Sequence, residues 1–137
     1  MKKVNNSLIL AVFFVFLVII IWAVYANGRV DDSVSEVQQQ TSFRLEEIKI
    51  ELSKDESQQD RAKIQRFVSE AISITQKAVE ENPKDAIFWA ELGNVYFETN
   101  GIVIGAREKA ITCYEKAVEL DSNNNLYKQR LVEAQSL

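Results

Sequence analysis

Apolar residues open the chain as one block and are then dealt out at helical intervals. Residues 8–26, LILAVFFVFLVIIIWAVYA, form an unbroken apolar run. Its length suffices for a helix to cross the bilayer core, for which about 20 residues are needed. After it, Val30, Val34, Val37, Thr41, Leu45, Ile48 and Leu52 recur at spacings of three and four, a helical stripe with a period close to a heptad's. Two uses of that stripe stay open: a stalk that pairs with another chain, or a helix lying on the domain that follows. Phe43 and Ile50 fall off the stripe and imply a second contact surface. The stretch SKDESQQD then breaks the pattern, with Asp55 or Ser57 available to cap the next helix.

Past residue 60 the helical pattern is strong. Ile64, Phe67, Val68, Ala71, Ile72, Thr75, Ala78 and Val79 share one face. Pro83 ends this helix, because the residue before a proline is pushed out of the helical region. Asp85 can cap a further helix carrying Ile87, Trp89, Leu92, Val95, Tyr96 and Phe97. The loop-like TNGIVIG leads to a helix with Ala106, Ala110, Ile111, Cys113, Tyr114, Ala117, Val118 and Leu120. After DSNNN, Asn125 can cap a short last helix, with Leu126, Leu131 and Val132 turned inward.

The segments EAISITQKAVEENPKD and KAITCYEKAVELDSNN align without a gap, Ala71 on Ala110, Ala78 on Ala117 and Val79 on Val118. Between them stand Trp89, Leu92, Gly93 and Tyr96, spaced W-x₂-L-G-x₂-Y, followed by Ala110, Tyr114 and Ala117. This pattern resembles the tetratricopeptide repeat (TPR), a two-helix unit that stacks into solenoids. The resemblance covers roughly residues 61–137, with one complete repeat at 86–122 flanked by partial ones. It implies a short solenoid of helical hairpins, so that with the apolar run as an N-terminal transmembrane helix the expected fold is all-α. It also explains a glycine inside a helix, which costs about 1 kcal/mol relative to alanine: a second helix must come close at Gly93. Trp89, Leu92, Tyr96 and Tyr114 would fill the space between the helices. The sequence departs from the pattern in two places. Residues 99–104 enlarge the inter-helix turn and are expected to project, exposing two isoleucines or a valine, and Ser122 replaces the closing proline. Because such arrays need about three units, residues 43–52 are a candidate for the missing first helix.

The organisation expected is a cytoplasmic segment at 1–7, a membrane anchor at 8–26, a helical stalk or linker at 27–58 and the repeat domain at 59–137. A cleaved signal peptide with VYA (24–26) at its cleavage site is the alternative. The length of the apolar run, and Trp22 and Tyr25 at its far end, favour the uncleaved anchor. Lys2 and Lys3 bias the N-terminus toward the cytoplasm, with Arg29 weakening that bias. The expected location is the inner membrane, single-pass, with the C-terminal domain on the periplasmic side.

Charge and composition narrow the function. Setting Lys2 and Lys3 aside leaves 14 basic and 20 acidic residues, a net of −6, all beyond residue 26. Nucleic acid needs a cationic footprint that this surface lacks. The chain has no histidine, one cysteine (Cys113) and one methionine, Met1. Histidine-dependent triads, zinc sites and haem ligation are therefore excluded within it. Adjacent carboxylates such as Glu46 and Glu47, or Glu80 and Glu81, read as solvated charge. No catalytic residue, cofactor, metal or small-molecule substrate is expected.

The TPR resemblance implies a concave groove that holds a protein segment. By position in the motif the groove residues are Ile87, Ala90, Asn94, Phe97 and Glu98. Asn94 stands where an asparagine holds a bound peptide's backbone or carboxylate. Chaperone-binding members carry a lysine one turn earlier; Ala90 occupies that place here, so Ile87 and Phe97 better suit a segment with apolar anchors. The function expected is a membrane-anchored scaffold mediating protein–protein contacts in an envelope complex. One version resembles the anchored repeat proteins of cytochrome maturation, which hold an unfolded apocytochrome. The alternative is a constitutive small subunit of a membrane complex, held by its transmembrane helix and stalk.

Overall fold

Among the described residues the chain forms five helices, α1 (Asn6–Leu52), α2 (Arg61–Glu81), α3 (Ala86–Glu98), α4 (Ala106–Leu120) and α5 (Asn125–Ser136), with one 3-10 turn at Glu56–Gln58. They come from a computed structural model that describes the backbone from Asn6 onward and the side chains of 15–21 and 32–137. The fold is all-α; no β-strand forms among the described residues. Two compact units share α1, Met1–Ser35 and Glu36–Leu137. In the first, the apolar side chains of 15–21 are exposed. Among the described residues no helix is long and apolar enough to cross a membrane. Most of the run at 8–26, with Trp22 and Tyr25, and Val30 of the stripe, lies outside the described side chains, as do Lys2 and Lys3.

The second unit begins inside α1 and so includes part of the segment read from sequence as stalk. Thr41, Leu45 and Ile48 are buried, and Leu45 and Ile48 pack with Ile64, Phe67 and Val68 of α2. Each such side chain contributes about 1.5–3 kcal/mol when fully buried. Arg44 adds an ion pair to Glu70 at 2.7 Å. Arg44, Lys63 and Arg66 all stand within 5.5 Å of the Phe67 ring centre, at 5.4, 5.4 and 5.1 Å. Their stems shield the ring while their charges stay at the surface. The stripe ends differently from expectation, since Leu52 is exposed and Glu51 is buried.

Glu51 organises the connector to α2. Its carboxylate accepts Lys54 Nζ at 2.9 and 2.8 Å and the Asp60 backbone N–H at 2.9 Å. Lys63 approaches to 3.4 Å. Asp60, not Asp55 or Ser57, caps α2, accepting the Lys63 N–H at 3.0 Å. Asp55 instead precedes the 3-10 turn. The Glu51 bond to the Asp60 N–H fixes the cap one residue before the helix, a tertiary contact invisible to local sequence.

On α2 all the expected face residues are buried except Ile72, which is half-buried. Asp85 caps α3 through the Ile87 N–H at 3.0 Å, as expected. α3 and α4 meet where Gly93 faces the ring of Tyr114. A β-carbon on Gly93 would stand 2.9 Å from Tyr114 Cε1. The close approach is therefore to a side chain.

The turn between α3 and α4 does not project as expected. Thr99 is buried, its hydroxyl donating to the Val95 carbonyl at 2.7 Å. Gly101, at φ 88°, lets the chain double back. Ile102 and Val103 then pack on the α1–α2 core, while Ile104 next to them is exposed. The last helix is also turned from its expected register. Asn124, not Asn125, caps it, accepting the Leu126 N–H at 3.1 Å. Tyr127 and Ala134 are buried, whereas Leu126 and Val132 are exposed.

Candidate partner-binding cleft

α1 and α3 lie side by side in the same direction. Gln38 donates to Glu91 at 2.7 Å near one end, and Lys49 pairs with Glu98 at 3.1 Å near the other. A cleft of about 320 Å³ is lined by Gln38 of α1, by Ile87, Ala90, Glu91 and Asn94 of α3, and by Leu126, Tyr127 and Arg130 at the α5 side. Tyr114 of α4 and the cap residue Asn124 complete it. A neighbouring cleft of about 660 Å³ at the α2–α3 and α4–α5 turns shares Ile87, Asn124 and Tyr127 with it.

Three of the five groove residues expected from sequence, Ile87, Ala90 and Asn94, line this cleft. They are spaced by three and four and so stand on one helix face. Phe97 and Glu98 are not in its lining. Glu98 is engaged by Lys49, so the far end of that face runs beside α1 rather than into open space. Apart from Glu91, the residues missed come from other helices and the α5 cap. Glu91 was legible, since it lies one turn beyond Ile87. Arg130 and Tyr127 required the register of α5, and Gln38 required knowing that α1 walls the cleft.

The motif residues form its support. Leu92, Gly93, Tyr96, Ala110, Tyr114 and Ala117 are buried. Trp89 is only half-buried; its indole N–H donates to the Pro83 carbonyl at 2.9 Å and ties α3 to the preceding turn. The Tyr114 ring is 1% exposed, and its hydroxyl has no hydrogen-bond partner among the described residues.

Arg130 pairs with Glu133 at 3.0 Å. Burial pushes the Tyr114 phenol well above its ordinary range; Arg130 opposes the rise, while Glu91, Glu133 and Glu98 add to it. Burial likewise raises Tyr127, with Asp121, Asp85 and Glu91 adding to the rise. Burial also pushes the Cys113 thiol up to about 11, which keeps it a protonated core side chain at neutral pH. The strongly depressed group is Glu51, which is outside the cleft lining. Among the described residues no group of three or more Cys, Asp or Glu could hold a metal ion. The cleft thus offers amides, phenols, a carboxylate, a guanidinium and apolar surface, a set suited to holding a polypeptide segment. Neither a protein-family model nor a curated protein matches the chain.

Proposed function

We propose that the chain is a membrane-anchored, TPR-type scaffold whose cleft between α1, α3 and α5 holds a segment of a partner protein within an envelope complex. The observation that carries this reading is that one cleft gathers Ile87, Ala90 and Asn94 with residues of three other helices. The Gly93–Tyr114 contact supports the repeat reading, because glycine and tyrosine interlock at the positions where the motif places them. The anchor rests on the apolar run at 8–26.

A second reading, a constitutive subunit held through α1, is favoured by Phe43 and Ile50. They lie seven residues apart on α1, and both are more than half exposed, at 57% and 54%. Purification of the full chain from its native membrane in mild detergent separates the two. Asn94→Arg, which fills the cleft, should release the copurifying partner while Phe43→Glu with Ile50→Glu retains it. The opposite pattern makes the chain an α1-held subunit. Retention by both variants removes both surfaces from consideration.

A further inference from the structure

The charges around the cleft are unevenly matched. The one cation in its lining, Arg130, is already engaged by Glu133 at 3.0 Å. Glu91, the one carboxylate in the lining, meets only the neutral Gln38 amide at 2.7 Å. Among the described residues no cation pairs with it. Two further carboxylates, Asp85 and Asp121, line the neighbouring cleft, where Lys84 is the single cation. They reach Tyr127, which both clefts share.

A second, independent feature marks the same place. Tyr114 lines the cleft, and its buried hydroxyl has no partner among the described residues. An unmatched buried hydroxyl costs about 1–3 kcal/mol, a cost removed when an entering group bonds to it. Asn94 stands one turn from Glu91 on the same face, and its amide bonds to no described residue. The carboxylate can only accept, and the amide carbonyl and the hydroxyl oxygen can accept beside it, which together complement an ammonium or guanidinium group. Ile87 and the exposed Leu126 give apolar surface beside them. A carboxylate entering instead would meet Glu91 and would have to draw Arg130 away from Glu133.

We propose that the occupant of this cleft is a basic segment of a partner protein, a lysine or arginine flanked by apolar residues. The cation is received by Glu91, Asn94 and the Tyr114 hydroxyl, and its apolar neighbours by Ile87 and Leu126. The inference rests on the reading of the cleft as a partner site and specifies what that site selects.

The test uses the full chain in non-ionic detergent and two labelled peptides with capped ends. One alternates leucine and lysine; in the other, glutamate replaces every lysine. The lysine peptide should bind saturably by fluorescence anisotropy and the glutamate peptide should not. Glu91→Gln should weaken the lysine peptide about tenfold or more, as expected for loss of a charge-assisted contact. Tyr114→Phe should weaken it a few-fold with helical content unchanged. Glu108→Gln, which removes the same charge from an exposed site on α4, should leave it unaltered. Preferential binding of the glutamate peptide, abolished by Arg130→Gln, overturns the basic class and leaves the cleft as a partner site. Equal loss from Glu91→Gln and Glu108→Gln overturns the proposal by showing only bulk attraction. Binding of neither peptide removes the basic segment and the cleft reading together.

Discussion

Gly93 has no side chain because the Tyr114 ring lies 2.9–3.2 Å from where a β-carbon would stand. That ring is itself buried and cannot swing clear, so the general preference of helices for alanine is overruled. Gly93→Ala gains about 1 kcal/mol of helix propensity and loses about 1–3 kcal/mol to overpacking. The expected net is a loss of stability, read as a lower urea midpoint. In a Tyr114→Leu background the same change should be neutral or stabilising, and a double-mutant cycle without coupling would defeat the account. Glu51 makes the complementary case, a charge kept buried by its neighbours. Hydrogen bonds from Lys54 and from the Asp60 N–H, then Lys63, lower its pKa from the ordinary 4.5 to about 2, with burial opposing them. Because the folded value is depressed, the stability it contributes is complete above about pH 4.5 and is lost as pH falls toward 2. Glu51→Gln should therefore be less stable at neutral pH and should lose less on acidification across that window, measured by thermal melts at stepped pH. An unchanged acid limb would show that other carboxylates set it. Of these two residues only Gly93 was legible in the sequence, through a motif that requires glycine. Glu51 read as one more polar residue, because its partners come from a connector whose path no local pattern encodes.

The helices were legible in proportion to the strength of their stripe. On α2 the three-and-four spacing marks the buried face almost residue by residue. On α3 Phe88, 1% exposed, went unnoticed because its apolar neighbours wrap around the helix and leave no single face. On α5 the caps Asn124 and Asn125 are indistinguishable by type, and a shift of one residue sends Leu126 to the cleft rim and Tyr127 to the core. The α3–α4 turn was misread for a different reason. Its length suggested a projection, but Ile102, Val103 and a hairpin-forming glycine give it a way back onto the α1–α2 core. Ile102→Ser should cost about 1–2 kcal/mol, since it withdraws apolar surface from the α1–α2 core. Ile104→Ser, at a site 96% exposed, should change stability by less than about 0.5 kcal/mol. Chemical denaturation of the pair decides the matter: equal effects would mean that the turn stands free of the core.

The second compact unit begins at Glu36 rather than at the first residue of α2. This has a consequence for what can fold alone. Residues 61–137 contain the whole sequence resemblance, yet their α2 face is completed by Leu45 and Ile48, and their connector is fastened by Glu51. Removing those two apolar side chains forfeits about 1.5–3 kcal/mol apiece, against a total stability of about 5–15 kcal/mol for a small domain. It also bares Ile64, Phe67 and Val68 to water. A chain running from 36 to 137 should unfold in urea as one cooperative transition. A chain running from 59 to 137 should show reduced helicity, bind a hydrophobic dye and unfold over a broad range. It should also bind no peptide, because Gln38 of the cleft wall and the Lys49–Glu98 contact are gone with α1. If the shorter chain instead kept the longer one's midpoint and cooperativity, α1 would be a passenger on the repeat. Its buried face would then need explaining by a contact outside this unit. The boundary between support and site would move accordingly, from a cleft walled by α1 to one built by α3, α4 and α5 alone.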